Sequence, residues 1–431
     1  MAQDTTIDQV GRFEGQDVSL SGWVYNKRSS GKIRFVLMRD GTGTIQCVFV
    51  KSEVSEQAFE LADSVTQESS VRVTGTVRAD KRAPSGFELT ASNLELIQLA
   101  EPYPITPKEH GVEFLMANRH LWLRSARQHA ILRIRSVMVK AMRDFLDDRG
   151  FILGDTPILT PAAVEGTTTL FPVDYYGEQV YLTQSGQLYN EPLAAAVRKT
   201  YCFGPTFRAE KSKTRRHLAE FWMLEPEVAF LDLDGDMELA EDLVVFTVAR
   251  VLEKCRPDLA ALERDVAKLE AVRKPFPRIT YTESVELLNT KGREFKPGDD
   301  FGAEDETILG ESHDRPVMVH RYPAAIKAFY MKRDPEDPSL ALAFDMIAPE
   351  GYGEIVGGSQ REDDLVELEK RLSEHNLPRE SYEWYLDCRR YGSFPHSGFG
   401  LGLERTVAWV CGVRHIRETI PFPRMLEKIY P

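Results

Sequence analysis

Phe207-Arg208-Ala-Glu210 closes an apolar run and opens a basic segment that holds Lys211, Lys213, Arg215, Arg216 and His217. Glu220-Phe221-Trp-Met-Leu-Glu225-Pro-Glu227 then returns as a second apolar run. These runs predict a strand, a cationic loop and a returning strand. An inward arginine, a basic loop and an aromatic on the return suit a nucleoside triphosphate, because guanidinium forks grip phosphate oxygens and an aromatic face stacks on a base. A second stretch, Gly398-Phe-Gly400-Leu-Gly402-Leu-Glu404-Arg405, reads as a glycine-rich strand feeding a helix start. Backbone there can approach a ligand closely beside the positive end of a helix dipole. Arg405 can meet phosphate or an adenine face. The glycines are not GxGxxG, no GK[ST] follows, and no βαβ unit lies downstream, so neither a dinucleotide fingerprint nor a P-loop is present.

The elements that would carry these residues are legible in outline. Val18, Leu20 and Val24 alternate, Ile33 to Met38 runs to the turn Asp40-Gly-Thr-Gly43, and Ile45 to Val50 comes back as the other half of a hairpin. Ser55 to Val65 is helix-like, and Val71/Val73/Val77 and Phe87/Leu89 alternate again. Five short strands with a helix after the third is the order of an OB barrel, over residues 1–100. Residues 101–112 include Glu101-Pro-Tyr-Pro-Ile-Thr-Pro-Lys, a stiff linker. Ile131, Ile134, Met138, Met142 and Phe145 then repeat at helical spacing, with Gly150 as the stop. Phe151 to Leu159 reads as a strand interrupted by Pro157, a residue confined to boundaries and edges. Residues 231–310 are helix-rich and charged, with no chemistry to read. Strand-like runs return at Val317, Ala341 and Glu354.

A chain of 431 residues holds about two or three domains. Its 29 glycines, 24 prolines and 42% hydrophobic residues exclude collagen-like and wholly disordered classes. No apolar run approaches the ~18 residues of a membrane span, and the N-terminus lacks a basic-then-apolar leader. Five scattered cysteines without a CxxC argue against a disulfide framework or zinc knuckle, so a cytoplasmic protein is expected. The net charge of −13 argues against bulk nucleic-acid binding, yet Asn26 to Arg39 carries Lys27, Arg28, Lys32, Arg34 and Arg39 with no acid.

Taken in order behind the OB pattern, these stretches resemble the three motifs of class II aminoacyl-tRNA synthetases of the aspartate, asparagine and lysine subgroup. The long helix with Gly150-Phe-Ile-Leu-Gly-Asp-Thr-Pro157 is similar to the first motif, Phe207 to Glu227 to the second, and Gly398 to Arg405 to the third. The resemblance covers the whole chain. It implies an α+β catalytic domain over residues 113–431, a six-stranded antiparallel sheet flanked by helices, and a homodimer built on the first motif.

By that resemblance, Arg208 and Arg405 are the catalytic cations. Arg208 meets the ATP α-phosphate, and His217 and Arg405 hold its γ end. Phe221 and Arg405 sandwich adenine, Glu210 completes the nucleotide site, and Asp345 and Glu354 bind Mg²⁺ through hard carboxylate oxygens. Arg28, Phe35 and Gln46 match positions that grip anticodon bases, where an aromatic face, a cation and an amide read single-stranded RNA. Glu165, Gln187, Glu191, Glu225 and Arg361 match the amino-acid site.

Thr183-Gln184-Ser-Gly-Gln187-Leu-Tyr-Asn190-Glu191 bears on which amino acid is used. Aspartyl members read QSPQ with a lysine three residues on. Here Gly186 replaces the proline, Asn190 replaces the lysine, and Glu225 stands where aspartyl members carry aspartate. The expected activity is therefore ATP-dependent ligation of L-asparagine to tRNA(Asn) through an asparaginyl-adenylate. A relaxed aspartyl enzyme and a repurposed amino-acid-metabolising or binding relative are the alternatives.

Overall fold

The computed structural model describes residues 2–83, 85–164 and 169–431. It divides into two compact units, Met1–Leu115 and Met116–Pro431.

In the first unit, β1 (Gln3–Asp4), β2 (Asp17–Ser30), β3 (Ile33–Arg39), β4 (Thr44–Val50), β5 (Ser70–Ala79) and β6 (Phe87–Gln98) form one sheet ordered β1-β2-β3-β4-β6-β5. An additional β2–β5 pairing closes it into a barrel, with β1 a short parallel addition at β2. Alternation decides what goes inside. Val18, Leu20 and Val24 of β2 meet Val36, Met38, Cys47, Phe49, Val71 and Val73 in the core. The helix Glu56–Ser64 adds Phe59 and Ala62, and Ser55 Oγ caps its start by accepting from the Ala58 N–H.

The second unit is built on an eight-stranded sheet. Its strands are β7 (Ile152–Leu153), β11 (Lys199–Phe207), β12 (Glu220–Ala229), β13 (Arg278–Thr280), β14 (Val317–Pro323), β15 (Leu340–Ala348), β16 (Gly353–Gln360) and β17 (His396–Gly402). Their order is β13-β14-β15-β16-β17-β12-β11-β7. The strands from β14 to β11 are antiparallel, as anticipated, but β13 and β7 add parallel pairings at the two edges, so the sheet is mixed. Both additions are short. A Thr280–Glu283 capping box turns β13 straight into a helix, and Gly154-Asp-Thr-Pro157 cuts off β7. The single interrupted strand anticipated near Pro157 is thus β7 plus β8 (Leu159–Thr160). The latter joins β9 (Pro172–Tyr175) and β10 (Glu178–Leu182) in a separate small sheet. Residues 231–310 are helix-rich as expected, with β13 and irregular stretches at 271–277 and 291–302 between the helices.

The helices Ala126–Asp147 and Leu233–Lys254 bury Ile131, Ile134, Met138, Met142, Phe145, Met237, Val244 and Val248 in one cluster with Leu224, Phe344 and Leu401 of the sheet. Gly150 takes φ 77° shortly after the first of these helices, which the chain leaves through a Phe151 N–H to Leu146 C=O bond of 3.1 Å. Among the described residues, no helix is long and apolar enough to cross a membrane.

Close strand approach constrains Gly398. A Cβ on Gly398 would collide with the Pro226 carbonyl and the Glu227 carboxylate. Backbone cannot yield as a side chain can, so Gly398→Ala is expected to destabilise the second unit by about 1–3 kcal/mol. An unfolding midpoint equal to the parent's would show that β12 and β17 can separate.

Candidate active site

The β11–β12 pairing sets Phe207 opposite Glu220 and Thr206 opposite Phe221, so Arg208 leaves β11 beside the Phe221 ring, its guanidinium carbon 5.5 Å from the ring centre. β17 lies on the other side of β12 and runs into the helix Leu403–Cys411. Glu404 locks that junction. It accepts from the Trp222 N–H at 2.9 Å and pairs with Arg135 at 2.7 Å. The next residue, Arg405, donates from Nη1 to the Glu354 carbonyl at 3.0 Å and lies 3.6 Å from its carboxylate. Arg208, Glu210, His217, Phe221, Glu354 and Arg405, the six positions expected at ATP, all line one cavity of about 90 Å³. The basic loop above it is tied down by Arg216, which reaches Glu306 at 3.0 Å and Thr307 at 2.7 Å. Burial, then Arg405, hold the His217 imidazole below its usual pKa, which favours the neutral ring.

A second chamber of about 280 Å³ shares Arg208, Met223, Glu354 and Gly400 with the first. Glu225 is buried in its wall, accepting from the Ser185 hydroxyl, the Gly186 N–H at 2.8 Å and the Cys202 thiol at 3.4 Å. Burial pushes its pKa up despite these donors. Gly186 fits because any Cβ would collide with Thr156 Oγ1 and Cys202 Sγ. Arg361 also lines the chamber. Its guanidinium donates to both Glu227 oxygens, at 3.1 and 2.9 Å, and to Ser359 Oγ at 2.8 Å. Gln187 lines the chamber too, but Glu191 does not. The Glu191 carboxylate lies behind Gln187, where Arg389, Tyr385, His396 and Gln187 itself occupy its oxygens, so it stands in a supporting position behind the chamber wall. Asn190 is fully buried, its amide donating to the Glu225 carbonyl at 2.8 Å. Glu165 lies outside the described residues.

Asp345 and Glu354 face each other across Gly357, and Asp300 and Glu306 also line the chamber. Lys327 pairs with Asp345 at 2.8 Å. Burial, then repulsion from Asp345, lift the Glu354 pKa, with Glu306 adding to the effect and Arg405 opposing it. Crowded hard oxygens that repel one another fit a divalent cation, which would relieve that repulsion. Glu191, Glu227 and His396 also sit close enough to share an ion, but each carboxylate already faces its own guanidinium. Glu227, Glu306, Lys327 and Ser185 were not singled out from the sequence. Only Glu227 had a signal there, being two residues beyond Glu225 and therefore on the same face of β12.

On the barrel, Arg28 is opposite Phe35 across β2–β3, its guanidinium carbon 4.1 Å from the ring centre, and Nη2 donates to Gln46 Oε1 at 3.3 Å. Phe35 is half-buried and lies outside the barrel core. The three positions expected at an anticodon thus share one surface of the barrel.

Two family descriptions match the chain: "tRNA synthetases class II (D, K and N)" over residues 111–426, and "OB-fold nucleic acid binding domain" over residues 18–97. It is 61% identical over 429 residues to the asparagine–tRNA ligase of Desulforamulus reducens, covering 100% of both chains. It is 62% identical to that of Sorangium cellulosum, over 97% of this chain and 96% of that one. Its fold superposes with a TM-score of 0.97, 46% identity and full coverage of both chains on the asparaginyl-tRNA synthetase of Pyrococcus horikoshii complexed with asparaginyl-adenylate.

The lifted Glu354 pKa makes its ionisation oppose folding. That penalty is fully present above the raised pKa and fades as pH falls toward the unfolded value of about 4.3. Glu354→Gln is therefore expected to unfold at a higher temperature than the parent at about pH 8 in metal-free buffer, and to lose the advantage by about pH 5. A variant less stable than the parent at the higher pH would mean that the Arg405 contact outweighs the repulsion.

Proposed function

The chain belongs to the class II tRNA synthetases of the aspartate, lysine and asparagine group, and from that premise we infer that it ligates L-asparagine to tRNA(Asn), cleaving ATP to AMP and pyrophosphate through an asparaginyl-adenylate. The observation that carries this reading is the junction of the two cavities. They meet at Arg208, so a carboxylate in the chamber and an α-phosphate in the nucleotide pocket would share one guanidinium.

The asparagine carboxylate is already ionised and attacks the α-phosphorus, and pyrophosphate leaves. No general base is required. Catalysis is positioning plus charge neutralisation, with Arg208 at the reacting phosphate and Arg405 and His217 toward the leaving end. Phe221 and the Arg405 plane cover adenine, and Glu210 borders the pocket. Asp345 and Glu354 would hold Mg²⁺, with Glu306 beside them. The ion supplies positive charge to phosphate oxygens when bound. The terminal ribose hydroxyl of tRNA then attacks the adenylate carbonyl and AMP departs.

Selection of asparagine falls to Glu225 and Arg361. Three of the five guanidinium N–H groups of Arg361 are committed to Glu227 and Ser359. The Arg361–Glu227 pair carries almost no net charge, so it meets an amide oxygen without strongly favouring a carboxylate. Glu225 can accept from the side-chain NH₂ of asparagine. Aspartate would bring a second carboxylate, and two at ~4 Å repel by about 4 kcal/mol at an effective dielectric of ~20. Position 190 supplies no lysine to offset that charge, since Asn190 turns its amide to backbone instead.

We also propose a homodimer and a cytoplasmic setting. β7 is an exposed sheet edge whose Ile152 is 53% and Leu153 39% exposed, and a second copy would cover it. All five cysteines are free thiols, as in a reducing compartment. The barrel surface of Arg28, Phe35 and Gln46 reads the anticodon.

ATP–pyrophosphate exchange tests the central reading. Exchange should depend on asparagine and not on aspartate, and Glu225→Gln should lose most asparagine activation while narrowing the preference. Equal exchange with aspartate in the parent enzyme would overturn the discrimination argument. For the barrel, Phe35→Ala should weaken tRNA by about 1–3 kcal/mol without changing exchange. Normal charging at limiting tRNA would remove Phe35 from the anticodon site.

A further inference from the structure

Behind the amino-acid chamber lies a cluster of buried charge that belongs to none of the three motifs. Glu191, on the helix Gln187–Val197, is 1% exposed. Its carboxylate accepts from Arg389 Nη2 at 2.7 Å and from the Tyr385 hydroxyl, which is 2.8 Å from each oxygen. It also faces His396 Nε2 at 3.0 Å and accepts from Gln187 Nε2 at 3.2 Å. Arg389 is itself fixed, donating from Nε to the Glu362 carbonyl at 2.9 Å. Burial works against the Glu191 anion, but Arg389 and the His396 hydrogen bond hold its pKa below the usual carboxylate range. It therefore offers acceptors only.

An acceptor-only neighbour settles a choice that a carboxamide otherwise leaves open. Gln187 must turn its NH₂ toward Glu191, which leaves its carbonyl oxygen as the polar atom for the chamber that Gln187 lines. No hydrogen-bond partner for that oxygen exists among the described residues. We propose that Tyr385 and Arg389 are positioning residues for amino-acid recognition: by holding Glu191 as a fixed anion, they select the Gln187 orientation that offers an oxygen, not an NH₂, to the substrate ammonium. The opposite orientation would set two donors against each other. The proposal rests on the assignment of the chamber to asparagine.

The test uses the full-length enzyme in ATP–pyrophosphate exchange, with succinamate, which is asparagine without its amino group, as a competitive inhibitor. Tyr385→Phe keeps the ring and removes only the bridging hydroxyl. It should raise KM for asparagine about 5–20-fold and leave kcat and KM for ATP within about twofold. The Ki for succinamate should be unchanged, because no ammonium is there to recognise. Arg389→Lys keeps the charge on fewer donors and should move the same constants in the same direction. An unchanged KM for asparagine in both variants would overturn the proposal. So would an equal loss of succinamate binding, which would mean general loosening of the chamber. A parent enzyme with no asparagine-dependent exchange would overturn the chamber assignment and this proposal with it.

Discussion

Ionised groups taken out of water cost several kcal/mol each unless a partner meets them at close range. Glu191, Glu227, Arg361 and Arg389 are all buried, and each is tolerated only because an opposite charge lies within 3.1 Å of it. That requirement fixes more than local contacts. The Arg361–Glu227 pair spans β12, β17 and the end of β16, so a slip of one residue in any pairing would turn one partner to the other face and strand the second. Correct strand register and a formed amino-acid site are thus the same condition.

The rest of the centre follows from that register. Met223, Glu225 and Glu227 point to one side of β12 because side chains alternate with a period of two. β17 next to it ends where Glu404 ties the following helix to the Trp222 N–H. Arg405 therefore lies in the nucleotide pocket at a set distance from Glu225 in the amino-acid chamber, with Arg208 common to both. The two cavities are joined across a continuous sheet.

Much of this was readable beforehand, for physical reasons that differ by residue. The alternation in β3 to β5 is regular because a small barrel has one wet and one dry face. The strand–loop–strand around Arg208 and the glycine strand before Arg405 are local in sequence, so their geometry is written where their chemistry is. β13 was hidden because three residues are too few to show a period. Glu306 and Lys327 were hidden because they reach the acidic chamber from segments whose own sequence is ordinary for charged surface. Glu191 was singled out, but its place behind Gln187 and away from the chamber wall could not be read from its sequence position. Nothing in a linear sequence distinguishes a residue that touches a ligand from one that holds the residue that does.

The Arg28–Phe35 stack has a consequence for how the barrel meets nucleic acid. The aromatic face proposed to stack on a base already carries the protein's own guanidinium, and Gln46 is hydrogen-bonded to the same group. An incoming base on that face must displace the arginine, exchanging a cation–π contact of about 0.5–1 kcal/mol for stacking of about 1–3 kcal/mol. The exchange leaves a base that only stacks about 0–2.5 kcal/mol, less than stacking on a bare ring would give, and favours a base that also gives the freed cation and amide new partners. In this structure Arg28 covers the Phe35 face, so under the proposed reading the aromatic is screened until a base displaces its own cation.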